Sequence, residues 1–400
     1  MRVKERIAVT GYGIKVPNGG NCSELLQNLL SGEYRFTVND DLAPNGETLV
    51  IGEVTGGLGN LDDKQHRVLP RIAKLAICTV SEALEMSGLD LNDKEAAIGT
   101  GVFMGTTMGG ITPLEEMVTL SAAGRFKDMP VYCCGLVHYH SLASAVSGYY
   151  RLNGITKTVT TGCTAGIEAI EDAMMYLQNG RIHTAIIGAA DSSNNKATVY
   201  GFGKMRALPY GQQADAAGSP FSKNSKGFVL SEGAACLILE TEERAKARHA
   251  MIYGYIDAIA TNNDGESVNG HDPSGRMMKQ AASRVAGGRY PDYYNSQAMG
   301  YAANDRIEEI VSRELFDHSV PLTSIKGLTG HPFSVSGPAQ IIASLLGFQH
   351  QFIPGTIRTD RSGYEHLPLI TETLLQPSAE VLITSHGYGG NNACVYLTRQ

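Results

Sequence analysis

The chain has 400 residues, 42% of them hydrophobic, and a formal net charge of -7. That length suits two or three domains or one large pseudo-repeated unit with ample core; the acidic balance gives no global signal for nucleic acid, and no apolar run reaches membrane-spanning length. Met1-Arg-Val-Lys-Glu-Arg-Ile7 enters a strand without a signal-peptide core, and the cysteines (22, 78, 133, 134, 163, 236 and 394) are odd in number and lack metal spacing, which reads as reduced thiols in a cytoplasmic protein with no metal.

Ile7–Thr10 is the first expected strand. The Gly11-Tyr-Gly13 turn after it completes neither a P-loop nor a full Gly-x-Gly-x-x-Gly fingerprint. Asn21–Leu30 reads as a capped helix. Ile72–Met86 is a second helix, stopped at Ser87-Gly88. Lys64, Arg67, Arg71 and Lys74 cluster at its start; this is either a solvated basic face or a dock for an acidic carrier protein. Ala97–Met104 reads as a strand leading into Gly105-Thr-Thr-Met-Gly-Gly110, and Ala122–Tyr150 as helical in its second half.

Lys157–Thr161 is rich in β-branched residues and reads as a strand broken by Gly162. Beyond it Ile167, Ile170, Met174 and Leu177 fall on one helical face, and Asn179-Gly180 ends that helix. Cys163 therefore sits on a sharp turn at a helix N-terminus. There the free amides and the dipole are expected to favour thiolate and to hold an oxyanion, as in a nucleophile elbow. The competing reading is a cysteine packed in a core.

Thr184–Gly188 is the next strand. A turn-rich loop, Ser219–Ala235, enters the strand Cys236–Glu240, followed by a charged helix, Glu242–His249, and the strand Met251–Ala260. Pro321–His331 reads as strand and turn, and Ala339–Leu346 as an apolar helix. Thr161-Gly-Cys163 and Thr329-Gly-His331 thus each end a strand and precede a buried helix, which hints at duplication. Val381–Thr384, a loop from Ser385 to Asn392 and Ala393–Leu397 close the chain. The alternation of strands and helices argues for an α/β protein.

Several segments, in order, resemble the β-ketoacyl-acyl-carrier-protein synthases of the thiolase superfamily. They are Thr161-Gly-Cys-Thr-Ala-Gly166, Gly201-Phe-Gly-Lys-Met-Arg-Ala-Leu208, Pro220–Ala234, Lys326-Gly-Leu-Thr-Gly-His331 and Gly387-Tyr-Gly-Gly390. The resemblance implies a thiolase-like five-layer α-β-α-β-α fold from two similar halves, 1–248 with the nucleophile and 249–400 with the catalytic histidine. It implies acyl transfer through Cys163, with His331 and Lys326 as catalytic partners and an oxyanion hole from the amides of Cys163 and Tyr388. Met108 and Phe202 fall on the acyl tunnel, and Asp305 and Glu308 on the supporting acidic pair. It implies an acyl carrier protein as partner, with phosphopantetheine arriving on that carrier and no resident cofactor. It also implies a homodimer, or a heterodimer with a second ketosynthase-like subunit, and no nucleic-acid or membrane partner.

The chain departs from this pattern at one place. The family's first catalytic histidine is Gln297, the two threonines that hold the phosphopantetheine arm are Met299 and Tyr301, the glutamate nine residues after the second histidine is Gln340, and the phenylalanine opening the glycine-rich loop is His386. Gln297 donates a neutral N–H bond but does not titrate. Three readings therefore compete: a condensing enzyme with an altered site, an acyltransferase to a non-malonyl acceptor, and a chain-length-factor-like partner subunit. Cys163 speaks against the last and Gln297 against the first; His386 is either a packed loop residue or a displaced donor.

Overall fold

The computed structural model describes residues 5–56, 58, 61 and 69–400. Strands β1 (Ile7–Lys15), β2 (Thr100–Gly105), β3 (Thr156–Val159), β4 (Thr184–Asp191) and β5 (Gly233–Thr241) pair in the order β3-β2-β4-β5-β1. Strands β6 (Gly254–Asn263), β7 (Tyr293–Asn295), β8 (Leu322–Thr323), β9 (Glu380–Gly387) and β10 (Asn391–Thr398) pair in the order β8-β7-β9-β10-β6. Within each set the first three strands are parallel and the last two pairings antiparallel. The duplication hinted at by two short motifs is therefore a repeat of order and direction. The sets join edge to edge where Ile7–Val9 run antiparallel to Gly254–Ile256.

Helices fill corresponding intervals: α1 (Arg71–Ser87), α2 (Ser141–Tyr150) and α3 (Ala165–Gln178) in the first set, α4 (Arg276–Ala286), α5 (Ala302–Phe316) and α6 (Ser336–His350) in the second. Side-chain alternation sorts them into layers. On β5, Ala235, Leu237 and Leu239 share one core with α3, α6, Val381 and Ile383. Ala234, Cys236 and Ile238 point the other way, into the core under α1 and α2. Leu382 and Tyr396 point outward to α4 and α5. The result is five layers, with α3 and α6 between the two strand sets. Because β5 is covered on both faces, it reads as a continuous apolar run rather than an alternating one.

Local rules set most boundaries. Asn21 caps the first helix by accepting from the Glu24 amide, and Gly88 ends α1 at a φ of 61°. Four expectations shift. Gly11-Tyr-Gly13 continues β1 rather than turning. Ala97-Ile98-Gly99 closes a short helix, Lys94–Gly99, started by Asp93 as N-cap, so the strand begins at Thr100. Lys326–Thr329 is a helical turn after a two-residue strand. The loop expected from Ser385 is a tight turn, because β9 runs through Gly387 and β10 resumes at Asn391. No helix among the described residues is long and apolar enough to cross a membrane.

Candidate active site

The two repeated elbows meet. Gly162 has a φ of 76° and Gly330 a φ of 64°, both in the region that glycine enters without strain. At Gly330 a Cβ would also collide with the Ser231 hydroxyl, and at Gly166 with the Ser334 carbonyl, so the inner helices start in close contact. This crossing puts Cys163 Sγ 3.3 Å from His331 Nε2. The other ring nitrogen, Nδ1, lies 3.2 Å from Ser336 Oγ, and the His331 amide donates to the Val229 carbonyl at 2.8 Å. Phe228 and Phe333 pack against the imidazole with centroids at 5.1 and 5.2 Å. Burial, then Lys326 and His386, hold its pKa well below the ordinary histidine range. The ring is therefore neutral.

The glycine-rich turn completes the elbow. Ser385 Oγ donates to the Cys163 carbonyl at 3.1 Å and Asn391 Nδ2 to the Thr161 carbonyl at 3.0 Å. The amides of Tyr388 and Cys163 both act on the thiol and favour its charged form. They do not prevail. Burial, reinforced by Asp191, pushes the Cys163 thiol up to about 12 against Lys326 and the two amides. This corrects the expectation of a resting thiolate: a helix N-terminus is worth about 0.3–2 kcal/mol, less than desolvation of a side chain only 8% exposed. Cys163 rests as a thiol and needs a base.

A mainly apolar cavity of about 60 Å³ connects these groups. Phe202, Phe228 and Phe333 line one side; Met299 and Tyr301 line it too. The expected tunnel residue Met108 is not in this lining, whereas Thr107 is. Met108 instead donates its amide to Asp191 Oδ1 at 2.8 Å. Asp191, fully buried, also takes bonds from Thr106 Oγ1 at 2.9 Å and from Ser334 Oγ at 2.5 Å. It stitches the 106–108 loop to the His331 elbow, a positioning role that nothing in the spacing announced.

Gln297 is fully buried. Its backbone amide donates to Glu308 Oε1 at 3.1 Å and its Nε2 to the His386 carbonyl at 3.4 Å, while Oε1 has no partner among the described residues. Glu308 also accepts from Thr384 Oγ1 at 2.9 Å and from the Tyr294 hydroxyl. The His386 ring faces a polar group on each side. Nε2 is 3.0 Å from Glu308 Oε1, off the axis of a straight hydrogen bond, and Nδ1 is 3.2 Å from Asn304 Nδ2. An Asn304 N–H bond to Nδ1 assigns the ring proton to Nε2, facing the carboxylate. His386 and its neighbour His271, whose rings meet edge to face at 5.4 Å, both line the cavity. His271 carried no signal in the sequence. Burial and His386 lower the His271 pKa to about 4. Asp305 accepts from the amides of Phe221 and Met299, both at 2.8 Å, and of Gly300 at 3.2 Å, and so pins the loop after Gln297.

Lys326 is 1% exposed. Its Nζ donates to Gln340 Oε1 at 3.3 Å, and burial lowers its pKa to about 7 although Glu308 and Cys163 pull the other way. Of the expected basic docking face, Lys64 and Arg67 lie outside the described residues. Arg71 is committed elsewhere: its Nε and Nη2 each donate to the buried Glu232 carboxylate at 2.6 Å, and Nη2 also to the Val54 carbonyl at 2.9 Å. Lys74 is half-buried.

Family models match most of the chain. The family described as beta-ketoacyl synthase, N-terminal domain, matches residues 4–245, and the beta-ketoacyl synthase, C-terminal domain, matches residues 253–360. A 3-oxoacyl-[acyl-carrier-protein] synthase 2 of Synechocystis is 29% identical over 412 residues, covering 97% of each chain. Among solved structures, a type II polyketide acyl carrier protein in complex with its ketosynthase aligns at a TM-score of 0.89, with 22% identity and all of both chains covered. A ketosynthase in complex with its chain length factor from Xenorhabdus doucetiae aligns at 0.85, with 21% identity over 99% of this chain and 98% of that one.

Proposed function

Because the chain belongs to the β-ketoacyl synthase family, we propose that it is a transferase that takes an acyl group from an acyl-carrier-protein thioester onto Cys163. The observation that carries this reading is the 3.3 Å approach of His331 Nε2 to Cys163 Sγ, with the Tyr388 and Cys163 amides acting on the same sulfur. The sulfur attacks the thioester carbonyl, the two amides hold the oxyanion, and the carrier thiol leaves. His331 orients the sulfur as a neutral imidazole. The pantetheine arm is brought by the carrier, so no resident cofactor enters these steps. The solved relatives bound to a carrier protein and to a chain length factor support the same two partners here, with a second copy of this chain as the alternative to an unlike subunit.

A second reading concerns the next step. Decarboxylation of a malonyl thioester needs a strong donor at the enolate oxygen. Gln297 offers only a neutral amide, already bonded to the His386 carbonyl, and both His386 nitrogens face Asn304 and Glu308. This favours transfer of the acyl group to another acceptor over efficient condensation. Intact-protein mass after mixing with a panel of acyl-carrier-protein thioesters tests the first step. One acyl group should appear on the native chain and none on Cys163→Ala. If the native chain stays unmodified with every donor, the partner-subunit reading replaces the catalytic one.

A further inference from the structure

Two buried side-chain amides around His386 have carbonyl oxygens without a partner among the described residues, Gln297 Oε1 and Asn304 Oδ1. His386 fixes both. Its carbonyl only accepts, so Gln297 Nε2 faces it and Oε1 points away. Its ring proton faces Glu308 at 3.0 Å, so Nδ1 accepts from Asn304 Nδ2 at 3.2 Å and Oδ1 is turned off the ring. A buried acceptor left unpaired is costly, and one that borders a cavity marks where a ligand's donor goes. Asn304, almost wholly buried, lines the cavity of Cys163 and His331, and so does His271, whose Nδ1 is also buried without a partner among the described residues. The cavity is only about 60 Å³, so a group held at one wall lies close to the other. The segment that carries His271 is tied to the glycine-rich turn: the Asp264 amide donates to the Gly390 carbonyl at 2.8 Å, the Asp272 amide to Asp264 Oδ2 at 2.8 Å, and Asn392 Nδ2 to Asp264 Oδ1 at 2.7 Å.

Resting on the acyl-Cys163 reading, we propose that the second substrate is a primary amine, held by Asn304 Oδ1 and the His271 imidazole while it attacks the acyl group. The orphan groups decide the class. A malonyl carboxylate would bring acceptors to a wall of acceptors, with the Glu308 carboxylate against His386 beside them. An alcohol has one proton, which it gives up on attack, and a thiol donates only weakly. A primary amine has two, one for the Asn304 oxygen and one for the unprotonated imidazole nitrogen. Burial and His386 keep that imidazole neutral and so able to accept. The apolar walls, Phe202, Phe228 and Phe333 among them, admit the uncharged NH2 group and exclude the ammonium ion. The amine's lone pair forms the C–N bond, the C–S bond breaks and its pair stays on sulfur. One N–H proton passes to His271 and then to the Cys163 thiolate. An amide and a free thiol result, and no oxidant or reductant enters.

The second step can be tested alone. The native chain is acylated with an acetyl thioester of N-acetylcysteamine, freed of donor, and mixed with n-butylamine, n-butanol or malonyl-N-acetylcysteamine. Mass spectrometry follows loss of the acyl group and the product, with denatured acyl-protein as background. n-Butylamine should discharge the native acyl-enzyme with saturation, at least ~10²-fold above background, and release N-butylacetamide. Asn304→Leu should raise the apparent KM for the amine ~5–10-fold, and His271→Phe should cut the saturated rate ~10²-fold. Discharge by the malonyl thioester with carbon dioxide release, discharge by n-butanol as fast as by the amine, an amine rate no higher than background, or an unchanged KM in Asn304→Leu would overturn the proposal. If Asn304→Leu fails to fold, His271→Phe decides. If no donor acylates the native chain, the acyl-transfer reading has failed, and saturation-transfer NMR of n-butylamine with the native chain and both variants still tests the amine site. A signal that the variants lose upholds it; no signal from the native chain, or one that both variants keep, overturns it.

Discussion

Gln297→His should separate the two half-reactions of this site. The native side chain is held loosely: one 3.4 Å bond from Nε2 and a buried Oε1 with no partner among the described residues. Removing it forfeits little, and the replacement would place an imidazole against Glu308, the carboxylate that already takes the position-297 amide at 3.1 Å. A donor of oxyanion-hole type is worth ~2.7–4 kcal/mol, or about 10²–10³ in rate. Met299 and Tyr301, which the resemblance aligns with two threonines that hold the pantetheine arm, put the gain at the low end, about 10²-fold in carbon dioxide release from a malonyl thioester. In the proposed mechanism acylation draws on Cys163, His331 and two amides, none of which changes, so its rate should move by less than about threefold. Carbon dioxide release and intact mass followed in parallel on both proteins give the answer. The reasoning is refuted if native protein already releases carbon dioxide at the variant's rate, which would make Gln297 an adequate donor or return that role to His386.

At neutral pH iodoacetamide should label exposed Cys134 before Cys163, whose thiol is buried and pushed up to about 12; peptide mapping at short times shows the order, and early labelling at Cys163 would mean that the amides outweigh burial. Arg71→Ala strands the Glu232 carboxylate, 3% exposed, and should cost ~2–3 kcal/mol, discounted from the 3–5 of a fully buried pair because Arg71 is 42% exposed; the urea midpoint measures it. Gly330→Ala combines a φ of 64° and ψ of -159° with a collision at Ser231, so we expect loss of soluble, acylatable protein, checked by circular dichroism and mass. Lys326 has a folded-state pKa of about 7, below its unfolded value of ~10.4, so over that window the unfolded chain binds the extra proton and native stability rises with pH. Lys326→Met lacks this rise, and thermal melts of the two proteins should therefore converge from pH ~7 to ~10; parallel melts would mean that Lys326 does not titrate there.

The first elbow was legible because a glycine that must enter positive φ, a strand pattern before it and a helical apolar face after it are all local signals; at the second only the glycine and the apolar helix after it were read rightly. The helix expected from Ile167 to Leu177 runs from Ala165 to Gln178. The family resemblance located Gln297, Gln340 and His386 as departures. What it could not supply were their partners. Gln340 takes its meaning from carbonyls at positions 295, 296 and 384, and Arg71 from Glu232, 161 residues away. The thiol's protonation state escaped for the same reason. A helix N-terminus is visible in sequence, whereas the desolvation that opposes it is imposed by Phe228, Phe333 and the rest of a cavity assembled from distant segments. Lys326-Gly-Leu-Thr was misread as extended because a four-residue helical turn has no periodicity to display.

The edge-to-edge seam also dictates an order of events during synthesis. Strand β1 begins at Ile7, yet its neighbours are β5 and β6, with Ile7 set against Thr241 on one side and Ile256 on the other. While the ribosome works through the first two hundred residues, this apolar strand has both edges open, the kind of segment that invites mispairing and chaperone capture. Cys163 meets His331 only after 168 further residues have been added. The nascent chain therefore carries Cys163 without its histidine while those 168 residues are made, and the pair is assembled only as the second copy of the elbow folds onto the first.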